Sequence, residues 1–428
     1  MRIASTDAPD PATTPPISEL GSEIRVEPRV LFVVARQSSR ARDGRFAGSH
    51  SSGGDTLGRV AALAERLITR IRSRGPISFA EYMEAALYDA DDGYYSTRAT
   101  IGFEGDYLTA SDLGPHLGRA LSRAIADFWQ QLGKPAAWDL VEAGAGRGTL
   151  LRDTLISLER ERPDAARGVR PAIVEVSRHL RAQQSSALDG RDIRWASDPR
   201  ALGPIEGVLY ANEILDAFPV HVLVRTTDGA REVFVTVHED RLVETLRPPN
   251  PPELRYRVPE AVPMGGRWEV SPRAEGWVAG LAAAMTRGYV LFIDYGGDEP
   301  ELLTRFGSGT VRGFARHRLI ADPFTEPGAH DLTASVNFTA VRRAAEGAGF
   351  TFAGRTSQRE ALLALGIRDV ASRPTTPIDQ LRDLGRRSAI DTLLDPAGFG
   401  AFQVVCFAKD APAEGLRLFA SRQGSAQR

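Results

Sequence analysis

Trp138-Asp-Leu-Val-Glu142-Ala-Gly144-Ala-Gly146-Arg-Gly148-Thr149 is the stretch from which the fold of this chain is read. Residues 138–142 form a short apolar strand that runs into alternating glycines, and residues 150–158 continue as a helix. Glycine lets the backbone approach a ligand closely, and the first turn of the helix offers unpaired N–H groups to an anion. A plain strand-to-helix turn is the simpler alternative. Outward from this unit, strands are expected at 172–176, 193–196 and 208–211, separated by helical stretches. That alternation specifies a parallel, doubly wound, Rossmann-like α/β sheet. Segments 220–225, 232–238 and 242–246 alternate at period two around Asp228-Gly229, a hairpin signal. They read as an antiparallel β insertion at about 220–270. The α/β rhythm resumes with a helix at 273–285, strand 289–294, helix 338–347, strand 350–355 and a last strand at 402–407.

Upstream, Leu57, Val60, Ala64, Leu67 and Ile71 recur at helical spacing. Ser78-Phe-Ala-Glu81 has the form of a capping box, and residues 114–132 carry a third apolar stripe. Residues 55–135 are therefore expected to be an N-terminal helical segment with a covering loop, and 136–410 the α/β domain. Thr13-Thr-Pro-Pro16 and Ser51-Ser-Gly-Gly54 resist packing, so 1–54 reads as a disordered extension and 411–428 as a flexible tail.

The 428 residues carry 53 basic and 55 acidic side chains, a net charge of −2, which argues against general affinity for nucleic acid. No apolar run approaches the roughly 18–20 residues of a membrane span. Cys406 is the single cysteine, which excludes an intrachain disulfide framework and gives a cytoplasmic location as the expectation. The acidic residues Asp7, Asp10, Glu19, Glu23 and Glu27 speak against a transit peptide. His50, His116, His179, His221, His238, His317 and His330 show no close ligand spacing, so no metal is expected.

A dinucleotide loop requires Gly-x-Gly-x-x-Gly, and here the third glycine would be Thr149. Gly-x-Gly-x-Gly with a carboxylate two residues ahead suits S-adenosylmethionine better. Its carboxylate can sit at Gly144, Gly146, Gly148 and the helix end, with Glu142 facing its ammonium or sulfonium. Glu175, ending the next strand, can accept from both ribose hydroxyls. Ser197 and Asp198 stand where the adenine amino group needs an acceptor, although Asp198-Pro199 equally opens a turn.

These motifs resemble the MidA-type class I methyltransferases, a family that includes a mitochondrial arginine methyltransferase assisting respiratory complex I assembly. The resemblance runs from about Pro76 to Val405. It is carried by Tyr82-Met83, Gly93-Tyr-Tyr95, Gly105-Asp-Tyr-Leu-Thr109, Ala211-Asn-Glu-Ile-Leu-Asp216-Ala-Phe-Pro219, Ile293-Asp-Tyr-Gly296, Arg316-His317, Asp331-Leu-Thr-Ala334, Gln358 and Leu362-Leu-Ala-Leu-Gly366. Departures fall at Ala110-Ser-Asp112, Ala145, Ser335, Asn337 and Arg359, mostly on the substrate side. The resemblance implies a class I methyltransferase sheet and S-adenosyl-L-methionine as cofactor. It also implies a methyltransferase activity, first of all on protein arginine nitrogen, with a respiratory-complex subunit as one possible acceptor. A small-molecule O-methyltransferase and a non-catalytic assembly factor are the alternatives. Candidate cofactor residues are Thr109, Glu142, Gly144, Gly146, Gly148, Glu175, Val176, Ser197, Asp198 and Asn212. Glu213 and Asp216 are the candidates to hold a guanidinium; the alternative is that Asn212 and Asp216 cap the following turn. His317 is a candidate base for a hydroxyl acceptor. Tyr94 and Tyr95 read as core aromatics.

Overall fold

The computed structural model describes residues 53–97, 109–305, 309–315, 318–369 and 376–420. The expected extension up to residue 52, residues 421–428 of the expected tail, Gly105–Leu108 and Arg316-His317 lie outside the described residues.

The glycine loop belongs to a seven-stranded sheet. Its strands are β1 Trp138–Ala143, β2 Val169–Val174, β3 Arg194–Ala196, β4 Ile205–Asn212, β5 Met285–Asp294, β6 Thr351–Ser357 and β7 Gln403–Lys409. Their spatial order is β6-β7-β5-β4-β1-β2-β3. β3, β2, β1, β4 and β5 run parallel, and β7 is antiparallel to both β5 and β6. The chain moves outward from β1 to β3 and returns on the other side of β1 to β4. The carboxyl ends of β1 and β4 are thus the topological switch point, where open α/β sheets bind ligands. β1 is buried at every position, as a strand covered on both faces must be. One face packs on Leu121, Ile125, Phe128, Leu151 and Leu155, the other on Val278, Leu281, Phe338 and Val341.

The expected N-terminal helices are present at Gly53–Arg74, Phe79–Tyr88 and His116–Gln131. Ser78 and Glu81 form the capping box, with Glu81 N–H donating to Ser78 Oγ at 3.2 Å and Ser78 N–H donating to Glu81 Oε2 at 2.9 Å. The insertion is a sheet of His221–Thr226, Gly229–His238, Arg241–Arg247 and Arg267–Val270, the last of which the alternation pattern did not reveal. Ile77 and Ser78 pair with Val235 and Phe234, so the helical segment and the insertion share one sheet. They also share one core, in which Leu63, Tyr82 and Met83 meet Val222, Val233 and Val235. Two further elements had no sequence expectation. One is a small sheet of Arg312–Ala315, Arg318–Ile320 and Asp331–Thr333; the other is the helix Pro377–Leu393. No helix among the described residues is long and apolar enough to cross a membrane.

Candidate active site

The loop after β1 takes three left-handed turns, at Gly144 (φ 67°), Gly146 (φ 51°) and Gly148 (φ 80°). A Cβ on Gly144 would come within 2.9 Å of the Ile214 side chain, so the loop lies directly against the turn that follows β4. Gly148 caps the helix Thr149–Glu161 without a side-chain hydrogen bond; the Leu151 N–H faces Glu142, which leaves the N–H groups of Thr149 and Leu150 for a ligand. Glu142 does not line the open side of this loop. It is buried beneath the helix, accepts the Tyr210 hydroxyl at 3.0 Å, and burial pushes its carboxyl up to about 8.

Glu175 follows β2 and is buried. Its Oε1 accepts the Ser177 N–H at 2.8 Å and its Oε2 accepts Nε2 of Gln184 at 3.0 Å. Burial raises its carboxyl above the usual range, and these two bonds work against the rise. The next side chain, Val176, is 64% exposed beside it, an uncovered apolar face. Asp198 is used elsewhere. It accepts the Arg200 N–H at 2.8 Å, caps the turn Pro199–Leu202 and pairs with the Arg200 guanidinium, which lowers its carboxyl. The turn alternative therefore describes Asp198, and the neighbouring Ser197 is exposed.

Beyond β4, Asn212, Glu213 and Asp216 form the densest part of the site. Glu213 has φ 54°, a left-handed conformation that a non-glycine residue holds only where its surroundings impose it. Asp294, at the end of β5, imposes it here. Its Oδ2 accepts the N–H groups of Ile214 (3.1 Å), Leu215 (2.8 Å) and Asp216 (3.4 Å), and its Oδ1 accepts that of Tyr295 (2.9 Å). Glu213 Oε1 accepts Asn212 Nδ2 at 2.9 Å and the Ala110 N–H at 3.4 Å. Burial, with Asp216 adding repulsion, pushes the Glu213 carboxyl up to about 8. Burial likewise pushes Asp216 up to about 6 and Asp294 well above the carboxylate range.

Four buried atoms of this region have no hydrogen-bond partner: Asn212 Oδ1, Asp216 Oδ1, the Tyr295 hydroxyl and Thr333 Oγ1. The Tyr295 hydroxyl stands close to both Asp216 and Thr333, and its contact with Asp216 works against the rise of that carboxyl. The cap closes on the same place. Tyr88 donates to Ala217 O at 3.0 Å, Tyr95 donates to Asp331 Oδ1 at 2.9 Å, and the two rings stack 5.6 Å apart. Tyr95 is half-buried with its hydroxyl satisfied by Asp331, and Tyr94 is fully buried. Thr109 donates through N and Oγ1 to Asp112, which in turn pairs with Arg147 of the glycine loop. The structure brings together the glycine loop, Thr109, Glu175, Val176, Asn212, Glu213 and Asp216. It leaves Asp198 in its own turn, and His317 lies outside the described residues. Gln184 and Tyr210 escaped the sequence reading; Asp294, Tyr295 and Thr333 were visible in motifs but had no role assigned.

Residues 120–356 match the family model described as "Putative S-adenosyl-L-methionine-dependent methyltransferase". The chain belongs to this family. Curated relatives include the mitochondrial protein arginine methyltransferase NDUFAF7 of Homo sapiens, 31% identical over 316 residues, 67% of this chain and 70% of the relative. The Drosophila melanogaster homolog is 32% identical over 330 residues, 67% and 71% of the two chains. A Burkholderia thailandensis protein crystallised with S-adenosyl-homocysteine superposes with a TM-score of 0.78 at 33% identity, covering 87% of this chain and 98% of that one. The protein is an S-adenosylmethionine-dependent methyltransferase with the class I sheet expected from its sequence. The residues present fit that cofactor. Gly144 leaves a cradle that a Cβ would fill, Glu175 offers acceptor capacity, and Val176 offers an open apolar face. The cytoplasmic location expected from the sequence does not stand, because these curated relatives are mitochondrial proteins.

Proposed function

We propose that this methyltransferase acts on the guanidinium nitrogen of arginine in a protein acceptor, and that the β4–β5 edge is the acceptor site. The buried oxygens there that lack a full hydrogen bond carry the reading. Asn212 Oδ1 can only accept, Asp216 Oδ1 can only accept when ionised, and the Tyr295 and Thr333 hydroxyls beside them can accept as well. Such a set suits a ligand made of donors, and a planar guanidinium with five N–H groups is one. The raised carboxyls of Glu213 and Asp216 support it, because a cation between them would offset the burial that holds their protons. The relatives named protein arginine methyltransferases point the same way.

In this reading the N–H groups of the glycine loop and helix end take the cofactor's carboxylate. Glu175 takes the ribose hydroxyls, Val176 lies against the adenine, and Glu142 with Tyr210 supports the loop from below. S-adenosylmethionine, when bound, supplies a methyl group on a positively charged sulfur. Asp216 and Asn212 orient the guanidinium, and the tyrosine pair Tyr88 and Tyr95 with the cap keeps water out. The attacking nitrogen releases one proton as its bond to carbon forms. Glu213, whose carboxyl sits near neutral pH, is placed to take it. A hydroxyl acceptor would call on His317 as its base, a residue outside the described residues.

The test is incubation of the enzyme and labelled S-adenosylmethionine with separated protein and small-molecule fractions of a cell extract, followed by mass spectrometry. Labelled methyl on arginine side chains is expected. Label confined to small-molecule hydroxyls would overturn the reading.

A further inference from the structure

We propose that Gln184 is a positioning residue of the cofactor site. It holds Gly146 of the glycine loop and Glu175 at the separation at which they take the two halves of S-adenosylmethionine. The proposal rests on the cofactor roles proposed above for the loop and Glu175.

Gln184 lies in the helix Arg178–Ala187, carries no recognisable motif and is 0% exposed. Its side-chain amide is fully used. Nε2 donates to Gly146 O at 3.0 Å and to Glu175 Oε2 at 3.0 Å, while Oε1 accepts the Trp195 indole N–H at 3.1 Å. The indole can only donate, so it fixes which end of the amide points at Glu175. The backbone is tight as well: a Cβ on Gly148 would lie 3.2 Å from the Gln184 Cα. One amide thus ties the loop after β1 to the carboxylate after β2, and the indole of β3 braces it.

The consequence for Glu175 is orientation. Ser177 N–H occupies one lone pair of Oε1, and Gln184 occupies one lone pair of Oε2. The Val176 N–H also faces this carboxylate, and the lone pairs left over point away from the three donors, where ribose hydroxyls can reach them. A carboxylate held from behind in this way does not need to give up rotamer freedom when the ligand arrives. A side chain that only filled space would leave both the loop and the carboxylate free to choose their own positions.

Calorimetric titration with S-adenosylhomocysteine tests this on the full chain. Gln184→Leu is expected to weaken binding at least tenfold. In the Glu175→Ala background the same change is expected to cost about threefold or less, because the carboxylate it orients is gone. Gln184→Glu keeps shape and the indole contact but loses both donors. It places two carboxyls face to face, and a proton shared between them restores the contact. Its binding deficit relative to wild type should therefore shrink as pH falls from about 8 to about 5. Additive losses in the double variant, or a deficit in Gln184→Glu that does not change with pH, would overturn the proposal even where Glu175→Ala itself weakens binding. If Glu175→Ala leaves affinity unchanged, the underlying assignment of Glu175 fails and the proposal fails with it.

Discussion

Asp139 and Asp216 are buried carboxylates at opposite ends of one sheet, and their surroundings differ in kind. At the amino edge, Asp139 of β1 is met by Arg194 at 2.6 Å, Arg170 at 2.8 Å and the Glu206 N–H at 3.0 Å, so β2, β3 and β4 all converge on it. At the carboxyl edge, Asp216, Glu213 and Asp294 crowd together, and no ion pair among the described residues reaches any of them. Burial pushes all three carboxyls upward, and repulsion adds to it at Glu213 and Asp294. The first arrangement is complete and serves stability. The second is incomplete and costs stability in the free protein. An unsatisfied, like-charged cluster at a topological switch point marks where a ligand's charge belongs.

This contrast can be broken at several points. The largest effect is expected from Asp294→Ala, which leaves four backbone N–H groups without their acceptor and releases the strained Glu213 turn. A loss of about 3–5 kcal/mol in chemical denaturation is expected. A loss below about 1 kcal/mol would mean the turn holds without it. Glu175→Ala should weaken S-adenosylmethionine binding by roughly 1.5–3 kcal/mol, tenfold or more, in calorimetric titration. Unchanged affinity in the folded variant would remove Glu175 from the site.

Asp139→Asn should cost about 1–2 kcal/mol of stability, since its arginines are half-exposed and can turn to water. It should leave cofactor affinity within about threefold; a larger drop would show the two edges to be coupled. Smallest of all is the expected effect of Asp198→Ala. Its carboxylate already serves Arg200, so cofactor affinity should change by less than about twofold, whereas a tenfold loss would return Asp198 to the cofactor site.

The carboxyl edge also predicts a pH profile. The Glu213 and Asp216 carboxyls are raised to about 8 and about 6, so the free protein holds protons there that a bound cation would displace. Acceptor kcat/KM should therefore rise with pH from about 6 to about 8 and level off above. For stability the sign is opposite. Raised folded-state carboxyls favour the fold below the unfolded carboxylate range, and that benefit is lost as pH rises through about 8. A kcat/KM that falls with pH across this range would contradict the carboxylate assignment.

The sheet was legible because β1, β4 and β5 each carry a buried apolar run, at Leu140-Val141, Val208–Ala211 and Tyr289–Ile293, and the glycine loop announces the switch point. The insertion was legible at Asp228-Gly229, where period-two alternation meets a turn. Arg267–Val270 was not, since four residues of mixed polarity carry no periodic signal. The helix Pro377–Leu393 was missed for a physical reason: Ile378, Leu381 and Leu384 face outward, so its apolar residues do not trace a buried stripe. In the site, Glu175, Glu213 and Asp216 could be found because they follow strands. Glu142 was found but misoriented, because sequence does not say which face of β1 its side chain takes. Asp198 showed both its possibilities in the sequence, and its neighbour Arg200 decides for the turn. Gln184 could not be read: its partners Gly146, Glu175 and Trp195 are distant along the chain and meet only in the fold.

The central claim is that the uncompensated carboxylates of the β4–β5 edge hold a guanidinium. It is tested most directly by single-turnover methyl transfer with Glu213→Gln on an arginine-containing acceptor, after cofactor saturation. The neutral amide keeps the shape of the site but neither pairs with the cation nor takes its proton. The account predicts cofactor affinity within about threefold of wild type and a transfer rate lower by at least about a hundredfold. A transfer rate equal to wild type would contradict it.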